Sequence, residues 1–212
     1  MKLADHLSPL PLVAVLRGIT TDEVHAVGEV LFAAGFRMLE VTLNSPRPFA
    51  SIRRLADDLG TRALVGAGTV IDPADVARVK DAGGRLIVMP HADVAVVREA
   101  KRLGMICLPG VATPTEAFAA LAAGADGLKL FPAEAMPPAT LRAWRAVLPK
   151  GTVVFAVGGI RADNMAPWWA AGADGFGTGS NLYKPAAAIG DVRAAANAYA
   201  SAFRALPART SA

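Results

Sequence analysis

Two charged residues occupy positions where a buried strand is expected to be apolar. Lys129 lies in the middle of the run Gly127–Phe131, and Glu40 lies in the run Met38–Leu43. Burying an ammonium or a carboxylate is costly, so packing alone does not explain them. A desolvated lysine has a lowered pKa and becomes a nucleophile toward carbonyl carbon, and a carboxyl group can transfer protons. A structural ion pair would bring the same two residues together, so proximity alone does not decide between these interpretations.

Residues suited to an anionic ligand follow several strand-like runs. Arg17 closes the first apolar run and is a fixed cation for a carboxylate or a phosphate. Thr69 follows Gly66-Ala67-Gly68, where glycines would let backbone and hydroxyl approach a ligand. Gly158-Gly159 and the run Gly177–Ser180 are glycine-rich loops of the kind that bind phosphate through backbone N–H groups. Together these features predict a site for a phosphorylated oxo-acid.

A regular alternation of helices and strands has to position these residues. Glycines suited to helix C-termini precede the strand-like runs: Gly35, Gly60, Gly83, Gly104, Gly124, Gly151 and Gly172. With Leu12–Leu16 as the first, eight strands are predicted: Met38–Leu43, Ala63–Ala67, Leu86–Met89, Met105–Leu108, Gly127–Phe131, Val153–Val157 and Gly175–Thr178 complete the set. Capping residues and first-turn prolines, as in Asp72-Pro73 and Thr113-Pro114, mark the helix starts.

Eight such units predict an α/β protein with the (β/α)₈ TIM-barrel fold, in which chemistry lies at the C-terminal ends of the strands. We expect one domain over residues 1–212, with residues 1–9 as an N-terminal extension that closes the bottom and residues 185–212 as the last helix and tail. An open doubly wound sheet is the competing architecture. Its G-x-G-x-x-G fingerprint should follow the first strand, where the sequence instead reads Leu16-Arg17-Gly18-Ile19.

Composition narrows the classes of function. The net charge is +4, and the basic residues are scattered, so no nucleic-acid partner is expected. No apolar run approaches the ~20 residues that a membrane span needs, and Asp5 and His6 interrupt any signal peptide, so a cytoplasmic protein is expected. Cys107 lies in an apolar run and suggests no thiol chemistry. His6, His25 and His91 are dispersed, so we expect no metal site.

Six short motifs occur in a characteristic order along the chain. They are Glu40-Val41-Thr42-Leu43, Gly66-Ala67-Gly68-Thr69-Val70, Pro109-Gly110, Leu128-Lys129-Leu130-Phe131-Pro132-Ala133-Glu134, Gly158-Gly159-Ile160 and Gly177-x-Gly179-Ser180. These motifs resemble the 2-keto-3-deoxy-6-phosphogluconate (KDPG) aldolase family, and the resemblance runs from about Leu10 to Lys184. It implies a class I aldolase with a (β/α)₈ fold, usually a trimer, that needs no metal or organic cofactor.

The resemblance also implies roles for individual residues. Lys129 would form a Schiff base with the substrate, and Glu40 would be the acid and base. Arg17 and Thr69 would hold the carboxylate end of a phosphorylated 2-keto-3-deoxy sugar acid. The residues implied for the phosphate are Gly159, Gly179 and Ser180.

Two departures from the gluconate branch of the family concern specificity. Asn44-Ser45-Pro46 replaces an Arg-Thr pair, and Val157 replaces a threonine. With Leu16-Arg17-Gly18, they resemble the branch that cleaves the galactonate epimer to pyruvate and glyceraldehyde 3-phosphate. The carboxylate contact then falls to Arg17, with Arg47 as the alternative. A gluconate-specific aldolase, a non-covalent phosphosugar isomerase or epimerase, and a non-catalytic sugar-phosphate sensor remain as other readings.

Overall fold

The structure is a computed structural model that describes residues 2–208. In this part of the chain, nine parallel strands form a barrel inside eight α-helices. The strands are β1 Leu12–Leu16, β2 Met38–Thr42, β3 Leu64–Gly68, β4 Leu86–Val88, β5 Ile106–Leu108, β6 Gly110–Val111, β7 Leu128–Leu130, β8 Val154–Val157 and β9 Gly175–Thr178. The helices are α1 Val24–Ala34, α2 Pro48–Leu59, α3 Pro73–Asp81, α4 Val94–Arg102, α5 Pro114–Ala122, α6 Pro138–Arg145, α7 Met165–Ala170 and α8 Ile189–Arg204.

The order of the strands confirms the predicted barrel. Neighbours pair in parallel in the order β5-β4-β3-β2-β1-β9-β8-β7-β6. Only Pro109 separates β5 from β6, so the barrel closes through a fifth strand that is split in two. Proline has no N–H to donate to a neighbouring strand, which explains why eight predicted strands become nine segments. The final residues of the predicted tail, 209–212, lie outside the described residues.

Six of the seven predicted glycines follow a helix within two residues and have the predicted left-handed φ, from 55° at Gly60 to 109° at Gly35. Gly151 also has a left-handed φ, of 84°, but α6 already ends at Arg145, so the prediction that Gly151 ends a helix was wrong. The caps predicted at Asp72 and Thr113 are confirmed. Asp72 accepts a hydrogen bond from the N–H of Ala74, and Thr113 forms a reciprocal capping box with Glu116.

The hydrophobic core has two layers, as alternation along barrel strands requires. The larger layer fills the space between strands and helices, and the smaller one lies inside the barrel. Leu3, from a 3₁₀ turn at Leu3–His6, belongs to the inner layer and packs near Gly127 at the start of β7. The N-terminal extension therefore closes the bottom of the barrel and leaves the opposite end to the site. None of the described helices is both long and apolar enough to cross a membrane.

Candidate active site

Glu40 and Lys129 both point into the barrel. On β2, Met38 belongs to the inner layer, whereas Leu39 and Val41 pack against the helices. Glu40 shares the inward direction of Met38 and is 1% exposed. Lys129, in the middle of β7, is 7% exposed, and its Nζ lies 4.9 Å from the centroid of the Phe131 ring. Both charged side chains line one small inner cavity, so the structure brings the predicted pair together.

Burial controls the electrostatics of this pair. Burial raises the pKa of Glu40, and the charges of Lys129 and Arg17 oppose that shift only in part. Burial also lowers the pKa of Lys129, which favours the neutral, nucleophilic amine, although the charge of Glu40 opposes this shift. The Oε2 atom of Glu40 is buried without a hydrogen-bond partner. Among the described residues, no ion pair within 4.0 Å joins Glu40 to Lys129. Neither group is therefore neutralised by a structural salt bridge.

The glycines of β3 have a role different from the predicted one. A Cβ at Gly68 would lie 2.5 Å from Oε1 of Glu40, so this glycine makes room for the carboxylate. A Cβ at Gly66 would lie 1.9 Å from the carbonyl oxygen of Leu86, so this glycine lets two strands approach. Both glycines accommodate protein groups rather than a ligand. Thr69 follows β3 with a left-handed φ of 58° and is not among the described residues that line the inner or the outer cavity.

A larger outer cavity of about 510 Å³ opens at the C-terminal end of the barrel. It shares Val15, Lys129, Val157 and Gly177 with the inner cavity, so Lys129 lies where the two meet. Its volume suits a small metabolite. Arg17 lines this cavity, whereas Arg47 is exposed at the start of α2 and does not. Of the two arginines left open by the sequence, the structure therefore brings Arg17 to the site.

The loop after β8 lines this cavity, and two side chains hold its backbone. Gly158 and Gly159 are both left-handed, with φ of 104° and 66°. The Nδ2 group of Asn164 donates to the carbonyl of Gly159 at 2.9 Å. The N–H of Ile160 belongs to the same planar peptide and therefore points the opposite way. The hydroxyl of Tyr199 donates to the Ile160 carbonyl at 2.7 Å and holds the next peptide.

The predicted phosphate residues Gly159, Gly179 and Ser180 line this one cavity. Within residues 2–208, the N–H groups of Gly159, Ile160, Gly179 and Ser180 have no backbone or side-chain acceptor. These four N–H groups are therefore available to an anion in the cavity, and we call them the anion cradle. Asn164 and Tyr199, which orient this cradle, carried no recognisable signal in the sequence.

Ser45 is another residue whose role only the structure shows. Its Oγ accepts a hydrogen bond from the N–H of Gly18 at 2.8 Å and lies 3.0 Å from Oγ1 of Thr42. It thereby fixes the residue next to Arg17 against the end of β2. The sequence showed only that Asn44-Ser45-Pro46 differs from the gluconate branch. The structure shows that Ser45 holds the loop that carries Arg17.

Two further observations on the described residues concern the cysteine and the possible metal ligands. Cys107 is buried, and burial raises the pKa of its thiol to about 12. In the part of the chain that the structure describes, no group of three His, Cys, Asp or Glu residues could hold a metal ion.

Comparisons with known proteins agree with the geometry. The family model "KDPG and KHG aldolase" matches residues 3–197. The chain is 47% identical to the probable 2-dehydro-3-deoxy-6-phosphogalactonate aldolase of Rhizobium meliloti (strain 1021), over 92% of each chain. It is 45% identical to the 2-dehydro-3-deoxy-6-phosphogalactonate aldolase of Escherichia coli (strain K12), over 92% of this chain and 95% of that one.

A solved structure described as native KDPGal superposes with a TM-score of 0.92 at 44% identity, covering 96% of this chain and 98% of the other. The family model spans nearly the whole barrel, including both charged residues of the inner cavity and the glycine-rich loops. The chain is therefore an aldolase, a lyase, and it belongs to the KDPG and KHG aldolase family.

Proposed function

We propose that this aldolase cleaves 2-dehydro-3-deoxy-6-phospho-D-galactonate to pyruvate and D-glyceraldehyde 3-phosphate through a Schiff base on Lys129. The observation that carries the proposal is the pair in the barrel. Lys129 and Glu40 are buried together without an ion pair, beneath a cavity that has a cation and four free N–H groups. An isomerase or epimerase would use the phosphate site and Glu40 but would not need Lys129 as a nucleophile.

The first step is addition of the Lys129 amine to the C2 ketone of the substrate. The resulting carbinolamine loses water to give an iminium ion, which withdraws electrons from the neighbouring carbons. Only the neutral amine adds to the ketone, and burial lowers the pKa of Lys129 in that direction.

The second step breaks the C3–C4 bond. The Glu40 carboxylate removes the proton from the C4 hydroxyl, directly or through a water, and C4 becomes the aldehyde of glyceraldehyde 3-phosphate. The C3–C4 electron pair moves into the iminium and forms an enamine. Glu40 returns its proton to C3 of this enamine, and water then hydrolyses the iminium to release pyruvate and restore the amine. A raised pKa suits Glu40 to both proton transfers, since an acid/base works best near the operating pH.

Substrate binding uses the two charged ends of the molecule. We assign the substrate carboxylate to Arg17, whose charge is close enough to influence the pKa of both Glu40 and Lys129. The phosphate lies on the N–H groups of Gly159, Gly179 and Ser180. Thr69 is assigned to the carboxylate end by the family resemblance alone.

The galactonate epimer is supported by the names of the relatives at 47% and 45% identity and by Val157 at the cavity junction. We also propose a cytoplasmic homotrimer on the strength of the family resemblance. Sedimentation of the purified chain would check the assembly.

The decisive experiment is reduction with borohydride in the presence of pyruvate. We expect a covalent three-carbon adduct on Lys129, located by mass spectrometry of peptides. Lys129→Met should give no adduct, whereas Lys150→Met, at an exposed lysine outside the cavity, should react like wild type. An adduct that is absent or maps to another lysine would contradict the Schiff-base mechanism and favour the isomerase or sensor reading.

A further inference from the structure

The loop after β9 places a second cation on the wall of the outer cavity. Lys184 lines this cavity together with Gly159, Gly179 and Ser180. Its side chain is exposed, and among the described residues it has no hydrogen-bond or ion-pair partner. The ammonium group is therefore available to a ligand.

One carboxylate holds a residue before Lys184 and a residue after it. Oε1 of Glu23 accepts hydrogen bonds from the hydroxyl of Tyr183 at 3.2 Å and from the N–H of Ala186 at 2.9 Å. Ala186 has a left-handed φ of 59°, a conformation that an alanine keeps only when its surroundings impose it. The N–H of Tyr183 also donates to the carbonyl of Gly179 at 3.0 Å. The backbone around Lys184 is thus held next to Gly179 of the anion cradle, and its side chain stays available.

The same carboxylate connects this loop to the loop that follows β1. Oε2 of Glu23 accepts hydrogen bonds from the N–H of Thr20 at 3.0 Å and from its hydroxyl at 2.6 Å. A Cβ at Gly18 would lie 2.8 Å from Cγ of Pro185, which shows how closely the two loops approach. The positions of Arg17 and Lys184 along the cavity are therefore set by shared contacts.

A phosphate in the cradle needs a cation because a carboxylate lies nearby. A Cβ at Gly159 would lie 3.0 Å from Oε2 of Glu134, which also lines the cavity. This negative charge opposes a dianion, and the N–H groups contribute only partial charges. The charge of Arg17 acts on both Glu40 and Lys129, at the catalytic end of the cavity. Lys184 instead follows Tyr183, whose N–H is bonded to Gly179 of the cradle.

We propose that Lys184 binds the phosphate of the substrate and gives the enzyme its preference for phosphorylated over unphosphorylated sugar acids. This inference rests on the proposed function, since it concerns the far end of the same substrate. Lys184 contacts a non-reacting group, so its removal weakens binding and leaves the chemistry at Lys129 intact.

The test measures binding by calorimetry in a Lys129→Met background, in which the substrate is not turned over. We expect Lys184→Gln to raise the Kd of 2-dehydro-3-deoxy-6-phosphogalactonate roughly 10- to 100-fold, the range for a lost charge-assisted hydrogen bond. The Kd of the unphosphorylated acid should stay unchanged. Lys184→Arg should keep most of the phosphate preference, and Lys150→Gln should have no effect on either ligand.

Equal weakening of both ligands, or a phosphorylated Kd that changes less than about threefold, would overturn the assignment of Lys184. Thermal melting of each variant identifies any loss of fold. Pyruvate trapping in the chain with native Lys129 reports separately on the proposed function, because pyruvate has no phosphate. Trapping that fails while Lys184→Gln still weakens phosphate binding would reject the mechanism and keep the phosphate contact.

Discussion

The contact between Gly68 and Glu40 predicts that one added methyl group will impair catalysis without unfolding the barrel. In Gly68→Ala, the new Cβ would lie 2.5 Å from Oε1 and 2.7 Å from Cδ of Glu40. The φ of Gly68 is not in the left-handed region, so alanine fits the backbone. The carboxylate is the end of a flexible side chain and has to move instead of the strand.

The size of the displacement follows from these distances. Ordinary contacts begin at 3.4 Å, so Oε1 has to retreat from 2.5 Å by about 0.9 Å. A misplacement of about 1 Å in a catalytic group costs on the order of 100-fold in rate, so we expect kcat/KM to fall by about that factor. Overpacking by one methyl group costs ~1–3 kcal/mol, which lowers Tm by less than about 12 °C in a domain of this size.

The assay couples pyruvate release to a dehydrogenase, with Tm measured on the same samples. Gly190→Ala is the matched control, because nothing lies within 4 Å of its added Cβ, and it should keep full activity. Gly66→Ala is the opposite control: its Cβ would lie 1.9 Å from a backbone oxygen, so it should abolish folding. A Gly68→Ala enzyme with kcat/KM within about twofold of wild type would refute the argument that Glu40 needs its present position.

Four further predictions follow from the same residues. Glu40→Gln should lower kcat by ~10²–10⁴-fold yet raise Tm at neutral pH, because the buried carboxyl has a raised pKa. The wild-type chain loses this penalty in acid, where Glu40 is protonated. The Tm gain of Glu40→Gln should therefore shrink as the pH falls through the pKa of Glu40 in the folded chain; a gain that does not depend on pH would contradict this. Cys107, with a pKa of about 12, should resist Ellman's reagent until guanidinium unfolds the chain. Activity should survive EDTA, since the described residues offer no metal cluster; loss that a divalent ion restores would oppose a class I mechanism. Val157→Thr should shift the kcat/KM ratio toward the gluconate epimer, since a hydroxyl near C4 discriminates by hydrogen bonding where valine offers only shape; an unchanged ratio would place Val157 away from C4.

Local signals in the sequence were enough to predict the barrel. Six of the eight described helices end within two residues of a glycine with a left-handed φ, and the strands are largely apolar on both faces, so both features repeat along the chain. Against that apolar background, Glu40 and Lys129 are conspicuous, and strand alternation alone predicts that Glu40 faces the same way as Met38. The break between β5 and β6 at Pro109 was not predicted, because it depends on which backbone N–H groups the neighbouring strand bonds to.

Contacts between residues far apart in sequence could not be predicted in the same way. Ser45 is hydrogen-bonded to Gly18, 27 positions away in sequence, and Glu23 is hydrogen-bonded to Ala186, 163 positions away. Neither pair has a local pattern, because the partners become neighbours only when the barrel closes. The glycines of β3 illustrate the limit: the sequence predicted that Gly66 and Gly68 make room for a ligand, whereas the structure places Leu86 and Glu40 against them.

In the proposed binding mode, Arg17 and Lys184 together give the substrate one orientation. Arg17 and Lys184 each attract both a carboxylate and a phosphate, so charge alone does not decide which end binds where. Geometry decides it: a planar guanidinium matches a planar carboxylate, and a cradle of N–H groups matches the oxygens of a phosphate. The cradle lies with Lys184 at Gly159, Gly179 and Ser180, and Arg17 lies near Lys129. With the carboxylate on Arg17, the adjacent C2 ketone is brought to the amine of Lys129, which is the atom that the mechanism requires there.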